Sequence, residues 1–148
     1  MSTRKSAKYL TSLYQAFGRF WEQEVSTWLS ALGFDVRDCG GFSASFDLYV
    51  NDALVEVKAA HKTEHNNGKG TLRARWQFNL SSKRKTSKRY FAVLVALDDN
   101  DNPSFFFIPG DAITTSTIQI TSAPEKYRGK WSKYLNDHTH LERWLASE

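Results

Sequence analysis

Hydrophobic and polar residues alternate on both sides of a short turn near position 51, and this pattern predicts a β-hairpin. Its strands are Phe46–Val50 and residues 53–58, and Asn51-Asp52 between them tolerate the positive φ angles of a two-residue turn. Because side chains alternate across a strand, one face of the hairpin is apolar throughout. The other face carries Asp47, Tyr49, Leu54, Glu56 and Lys58. Counting outward from the turn places Asp47 directly opposite Glu56.

The remaining pattern predicts a long helix, several further strands and a helical C-terminal part. Apolar residues recur at helical spacing over about residues 9–32, and Gly33-Phe34 is typical of a helix end. Strands are expected at residues 35–39, 73–80, 90–97, 104–108 and 117–121. The run at 90–97 is apolar at every position, which favours a central strand buried on both faces. Residues 127–145 suit one or two amphipathic helices that close the fold or form an oligomer interface.

Polar segments separate these elements. We expect residues 1–8 to be a flexible basic arm and residues 98–103 to be a turn. Residues 61–71 are polar and contain glycine, which predicts a mobile loop that begins directly after the hairpin. His61 and His65 are four residues apart but have no further Cys or His nearby, so the pattern does not predict a zinc site.

The composition is that of a single domain with a well-formed core. Hydrophobic residues make up 41% of the 148 residues and charged residues 24%, so the chain is globular rather than disordered. Cys39 is the single cysteine, which excludes an internal disulfide and favours a reducing compartment. No apolar run approaches the roughly 20 residues of a membrane span, and no signal-type segment follows Met1. We therefore expect a soluble, cytoplasmic protein with one domain over residues 1–148 and no membrane partner.

The basic residues are concentrated directly after the hairpin. The formal net charge is +4, but residues 61–89 alone contain nine Lys or Arg against a single acid, Glu64. A charge run is usually a solvated surface. Its position next to an acidic pair favours a surface that contacts a phosphate backbone. The predicted DNA contacts are Lys62, Lys69, Arg73, Arg75, Lys83, Arg84, Lys85, Lys88 and Arg89.

The two opposed carboxylates of the hairpin need compensating positive charge. Like charges directly opposite in a sheet destabilise it. Lys58, one pleat beyond Glu56, supplies one positive charge, and Mg²⁺ could supply the rest because it takes oxygen ligands and keeps several waters. The simpler alternative is a surface hairpin with a Glu/Lys solvent face.

Two residues outside the hairpin are candidates for the same site. Glu22 lies at the edge of the apolar stripe of the predicted helix, between Gly18 and Ser26, and these small neighbours leave space for a ligating carboxylate. Glu24 reads as a solvent-facing helix residue. The strand at 73–80 is expected beside the hairpin, which would bring Gln77 within reach of the acidic pair.

The order of these residues resembles the PD-(D/E)xK nuclease superfamily. Its signature here is Asp47 followed by Glu56-Val57-Lys58, with Glu22 on the preceding helix. Residues 15–60 are similar to archaeal-type Holliday junction resolvases, although no proline precedes Asp47 and the Asp-to-Glu spacing is short. The second half looks more like group I intron homing endonucleases or restriction enzymes. That likeness is carried by Arg75-Trp76-Gln77-Phe78-Asn79-Leu80, by Phe105-Phe106-Phe107-Ile108-Pro109 and by Tyr127, Lys130, Trp131 and Tyr134.

The resemblance implies an α/β, restriction-endonuclease-like core, in which a mixed central β-sheet is flanked by α-helices, and a Mg²⁺-dependent DNA endonuclease. By this likeness Asp47, Glu56, the Val57 carbonyl and Glu22 hold one or two Mg²⁺, with Mn²⁺ expected to substitute. Lys58 then orients or deprotonates the attacking water, and Gln77 positions that water or a phosphate oxygen.

The substrate class implied is duplex or branched DNA, and junction resolution is the leading subclass. Because cutting two strands needs two sites, a homodimer or homotetramer is expected. A site-specific homing or restriction endonuclease is the alternative within the same fold. The alternative in which the protein is not an enzyme is a nucleic-acid-binding domain.

Overall fold

The computed structural model describes residues 20–38, 46–51, 53–66, 72–80 and 89–146, with only the backbone described at several strand positions that include Asp47 and Arg73. Several predictions lie outside the described residues: the basic arm at 1–8, the first part of the long helix, and the predicted DNA contacts Lys69, Lys83, Arg84, Lys85 and Lys88. The described part is α/β and forms one compact body around a mixed sheet.

Two α-helices and eight strands make up this body. Helix α1 is described over residues 20–31. The elements that follow are β1 (Val36–Asp38), β2 (Phe46–Val50), β3 (Ala53–His61), β4 (Thr63–Asn66), β5 (Leu72–Asn79), β6 (Tyr90–Leu97), β7 (Pro103–Pro109), β8 (Thr117–Ile120) and α2 (Thr139–Ala146). Five strands form a main sheet in the order β1-β2-β3-β6-β7, and three form a small sheet in the order β4-β5-β8. Within the described part of the chain, no helix has the length and apolar character needed to cross a membrane.

The predicted hairpin is confirmed in its strands, its turn and its register. Strands β2 and β3 are antiparallel, with Val50 paired with Ala53 and Asp47 paired with Glu56. Asn51 has a φ angle of 54°, the left-handed conformation that asparagine tolerates and that a tight turn requires. The apolar face is buried, as Leu48 and Val55 illustrate. The hairpin is therefore fixed by local sequence.

Strand β6 is the centre of the main sheet. It pairs in parallel with β3 and in antiparallel with β7, so the sheet is mixed. All eight of its residues are buried, as the continuous apolar run predicts. Tyr90 and Leu94 belong to the core on one face of the sheet, whereas Phe91 and Val95 belong to the core on the other. The sheet therefore separates two cores.

Helices cover one of these cores and strands cover the other. Trp21 and Leu29 of α1 and Leu141 of α2 pack into the core that contains the apolar face of the hairpin. The opposite core is closed by Trp76 and Phe78 and other apolar residues of the small sheet and the C-terminal part. The mixed sheet and the flanking helices of the predicted α/β fold are therefore present, and the two described helices lie on the same face of the main sheet. The small sheet lies on the other face, where residues 72–79 alternate with the period of a strand.

Two further segments differ from the prediction. The polar segment at 61–71 is not wholly a loop, because Thr63–Asn66 pairs with β5 as strand β4; residues 67–71 lie outside the description. In the C-terminal part α2 is helical as expected. Ser132–Tyr134, however, is a 3₁₀ turn, and it orders the buried Trp131 and Tyr134, which are three residues apart. Gly33, with a φ angle of 94°, ends α1 as predicted.

Candidate active site and nucleic-acid surface

Glu56 is a carboxylate at the centre of the main sheet. Strand β3 lies between β2 and β6, and Glu56 pairs with Asp47 on one side and with Ala92 on the other. Its side chain shares a face with Leu54, which belongs to the core beneath the small sheet, and Glu56 is fully buried. The alternative of a surface hairpin with a solvent-exposed Glu/Lys face therefore does not hold at Glu56, because the small sheet covers this face.

Tyr90 is the contact that sequence reasoning missed. Its hydroxyl donates a short hydrogen bond of 2.5 Å to Glu56 Oε1, at the lower end of the range for hydrogen bonds from a hydroxyl to a carboxylate. Tyr90 pairs with Leu54 in the register, so it lies one pleat from Glu56 on the same face of the sheet. Within the apolar run at 90–97, Tyr90 is the only residue with a polar side-chain group, and that is the signal that could have identified it.

Lys58 lies two residues beyond Glu56 on the same face of β3. It is half-buried and pairs with Leu94 of β6. Two residues of a strand span about 7 Å, which is within the reach of a lysine side chain. The register therefore places Lys58 within reach of the Asp47–Glu56 pair, toward the more exposed end of β3.

The donor set of this pair suits a hard divalent cation. Carboxylate and carbonyl oxygens are the ligands that Mg²⁺ and Mn²⁺ prefer. The register supplies Asp47 opposite Glu56. Val57, whose carbonyl was the third predicted ligand, pairs with Phe46 and Val93. Among the side chains that the structure describes, no group of three or more His, Cys, Asp or Glu is arranged to hold a metal ion, but the Asp47 side chain is not one of them.

Glu22 is not brought together with Glu56. It is only 1% exposed, in agreement with its predicted place at the apolar stripe of α1. Its helix, however, packs on the face of the main sheet opposite to the one that carries Glu56, as Trp21 and Val25 show. Because the sheet lies between Glu22 and Glu56, one metal site could include both carboxylates only at the end of the strands. Glu24 is exposed, as predicted.

Gln77 does not lie beside the acidic pair, and this prediction is wrong. Strand β5 does not extend the hairpin sheet; it belongs to the small sheet, where Gln77 pairs with Gln119 of β8. Trp76 and Phe78 point into the core that contains Glu56, so the alternation of the strand directs Gln77 to the outer, exposed face. Its amide bonds there to Asn79 and Gln119.

Three of the predicted DNA-contacting residues have described side chains. Lys62 donates a hydrogen bond of 2.9 Å to Asp99, and this bond raises the pKa of Lys62. The pair is exposed, and such ion pairs contribute little and exchange readily for other partners. Arg75 is half-buried on the outer side of β5. Arg89 has a packing role that the sequence did not predict: its guanidinium lies 4.5 Å from the Trp144 ring and donates to the Trp144 carbonyl at 2.6 Å.

An aromatic cavity of about 330 Å³ lies away from these residues, on the side of the main sheet that α1 covers. Its lining residues are Trp21, Glu24, Val25, Trp28, Phe105, Phe107, Asn136 and His138. None of them belongs to the predicted catalytic set. The cavity therefore does not mark the chemistry that the hairpin predicts.

Known proteins offer no match to this chain. A comparison with protein-family models, a search of curated proteins and a search of solved structures each found nothing similar. Any functional conclusion therefore depends on the residues and their geometry.

Proposed function

We propose that the protein is a divalent-metal-dependent DNA endonuclease that hydrolyses phosphodiester bonds. The observation that carries this proposal is the pairing of Asp47 with Glu56 across the hairpin, with Lys58 next on the same face. Two adjacent carboxylates and a lysine are the groups that metal-assisted phosphodiester hydrolysis needs. A surface hairpin would place such residues in water, whereas Glu56 is buried between strands on both sides.

The arrangement of elements supports a restriction-endonuclease-like core as part of this proposal. Helix α1 precedes the antiparallel strands β1, β2 and β3, and β6 joins β3 in parallel. The acidic pair lies on the two central strands of this unit. This is the mixed sheet that the resemblance implies, with strands rather than a helix described on one of its faces.

Each residue of the proposed site has a defined role. Asp47 and Glu56 bind the cation, and the hydrogen bond from Tyr90 holds one Glu56 oxygen in a fixed direction. Lys58 donates to a phosphate oxygen or takes a proton from the attacking water. When bound, Mg²⁺ supplies positive charge to the phosphate and lowers the pKa of a coordinated water. Because Glu22 lies on the opposite face of the main sheet, it is a third ligand only if the metal site extends around the end of the strands.

A non-catalytic nucleic-acid-binding domain is the second candidate. The burial of Glu56 beneath the small sheet, with one oxygen already bonded to Tyr90, favours it. In that case the carboxylate is a structural element of the core, and the basic residues alone bind DNA.

Cleavage of labelled DNA separates the two candidates. The substrates are a linear duplex, a four-way junction and a fragmented genomic library, each with Mg²⁺ or with EDTA. We expect Mg²⁺-dependent cutting by the wild type, complete loss in Asp47→Ala, and a reduction of about 100- to 1,000-fold in Lys58→Ala. DNA binding by Asp47→Ala should persist or strengthen, because the variant removes a charge that repels phosphate.

Asp111→Ala and Lys126→Ala, which remove the same charges from exposed positions, are the controls. Symmetric nicks in the junction alone would identify a resolvase, and cutting of selected library fragments would identify a homing or restriction endonuclease. Binding without cutting of any substrate would overturn the catalytic proposal in favour of the second candidate. Joint loss of folding and binding in Asp47→Ala would mean that this carboxylate is structural.

A further inference from the structure

The small sheet presents a row of polar side chains on the face away from the core. On β5 the outward side chains are Arg75, Gln77 and Asn79, and on β8 they include Thr117 and Gln119. Gln119 Nε2 donates to Gln77 Oε1 at 3.2 Å, and Gln77 Nε2 donates to Asn79 Oδ1 at 3.3 Å. Thr117 Oγ1 donates to the same Asn79 oxygen at 3.2 Å. These amides therefore form one ordered array across two strands.

The array rests on a rigid support. Trp76 and Phe78, the inward neighbours of Gln77, are both buried in the core beneath the sheet. The Trp76 indole also donates a buried hydrogen bond of 2.9 Å to the carbonyl of Leu97 at the end of β6. Polar groups that are held by packing and by one another bind a ligand at a lower entropic cost than mobile ones.

Among the described residues, the small sheet is two strands wide at each point along β5. Strand β4 pairs with residues 72–75 of β5, and β8 pairs with residues 76–79. The major groove of B-form DNA, about 12 Å wide, admits a two-stranded β-ribbon. Outward side chains of one strand recur about every 6.8 Å, close to two base-pair steps of about 3.4 Å. The ribbon therefore matches the groove in width and in spacing.

The side-chain chemistry of this face is that of direct base recognition. Gln and Asn form paired hydrogen bonds with adenine, and Arg forms them with guanine. Strands β5 and β8 contain no acidic residue. Among the described residues, Arg75 has no ion-pair partner and its Nε has no hydrogen-bond partner. Its charge is therefore not neutralised within the described part of the protein.

We infer that the outward face of the β5–β8 ribbon enters the major groove of duplex DNA, where Arg75, Gln77 and Gln119 read base edges. This inference rests on the proposed function and adds to it a sequence-reading surface. It favours B-form DNA over double-stranded RNA, because the major groove of A-form RNA is too deep and narrow for side chains to read. Gln77 thus changes from a predicted catalytic residue to a predicted specificity residue.

Selection from a pool of random DNA duplexes tests this inference. The full chain is incubated with the pool in EDTA, so that no strand is cut, and bound duplexes are sequenced over several rounds. We expect the wild type to enrich one motif. Gln77→Ala and Gln119→Ala should each relax preference for an A·T pair, and Arg75→Ala for a G·C pair, by about 5- to 150-fold at the affected position. An RNA duplex of the enriched sequence should compete poorly.

Gln23→Ala is the matched control, because it removes the same amide from an exposed position on α1. An enriched motif that all three β5–β8 variants retain unchanged would overturn the inference while leaving the nuclease proposal intact. Mg²⁺-dependent cleavage by a protein that enriches no motif would also overturn the inference and leave the nuclease proposal intact. The nuclease proposal fails in a different way: the protein still enriches a motif, but it does not cleave the selected duplex in Mg²⁺.

Discussion

Glu56 is a residue whose position cannot be explained by stability alone. It is fully buried on β3, where its same-face neighbour Leu54 packs into the core beneath the small sheet and its other same-face neighbour is the half-buried Lys58. Burial of a carboxylate costs free energy that only hydrogen bonds and positive charge recover, and an apolar residue of similar size would avoid that cost. The hydrogen bond from Tyr90 recovers part of it. A functional requirement for the carboxylate explains its presence better than packing does.

The Tyr90 hydroxyl should therefore contribute to stability through Glu56. Tyr90→Phe keeps the buried ring and removes the donor, so we expect the free energy of unfolding to fall by about 1.5–3 kcal/mol, the usual range for a hydrogen bond to a charged group. Urea unfolding followed by circular dichroism measures this change. The same variant should also lower cleavage activity, since it releases one oxygen of a proposed metal ligand.

Tyr134→Phe is the control for this measurement. Tyr134 is also buried, and no hydrogen bond of its hydroxyl is found within the described part of the chain. Its replacement should change stability by less than Tyr90→Phe does. Equal stability of Tyr90→Phe and wild type would contradict the importance of the bond. When Glu56 is already replaced by Gln, the additional loss of stability caused by Tyr90→Phe should be smaller, because the charged acceptor is absent.

At the scale of elements, the hairpin could be predicted in full and the place of β5 could not. The turn at Asn51 and the alternation around it are local, and they fix the pairing of Asp47 with Glu56 by counting. The alternation of residues 72–79 also identifies a strand and its inner face. Which sheet that strand joins depends on partners more than 30 residues away, such as the pairing of Gln77 with Gln119. No local pattern encodes that choice, so the sequence alone does not predict the position of Gln77.

The turn between β6 and β7 makes a prediction about acid stability. Asp98 Oδ1 accepts hydrogen bonds from the backbone N–H of Asn102 at 2.8 Å and of Asn100 at 2.9 Å. The bond from Asn102 is the main cause of a pKa of Asp98 below the usual 3.8. A carboxyl whose pKa is lower in the folded state stabilises the fold above its unfolded pKa. That contribution is lost as the pH falls from about 3.8 through the folded value.

Asp98→Asn should consequently be less stable than wild type at pH 7, and the difference should shrink as the pH falls below about 3.8. Urea unfolding at a series of pH values measures it. Asp111→Asn removes the same charge from another exposed position and serves as the control. A stability difference for Asp98→Asn that does not change with pH would show that the turn does not depend on the ionised carboxylate.

At the scale of the whole molecule, positive charge is concentrated in one segment of the chain, which the net charge of +4 does not show. Residues 61–89 hold nine basic residues and one acid, a charge of +8. The remaining residues hold 11 Lys or Arg against 15 Asp or Glu, a charge of −4, and the two parts together give the net +4. The positive segment contains β4 and β5, and β5 is one of the two strands whose outward face is proposed to read bases. The segment 61–89 is therefore suited to a polyanion, whereas the remaining residues together carry net negative charge.

The salt dependence of DNA binding tests this division. Each phosphate contact contributes about −0.9 to the slope of the logarithm of the association constant against the logarithm of salt concentration. Replacing Lys83, Arg84 and Lys85 together with serine should make the slope shallower by up to about 2.7. The matched control replaces the exposed Lys126, Lys130 and Lys133, which leaves the net charge equally reduced. If the control changes the slope as much, binding follows net charge rather than a basic contact surface. A change confined to the first variant assigns phosphate contacts to the segment that follows β5 in the chain.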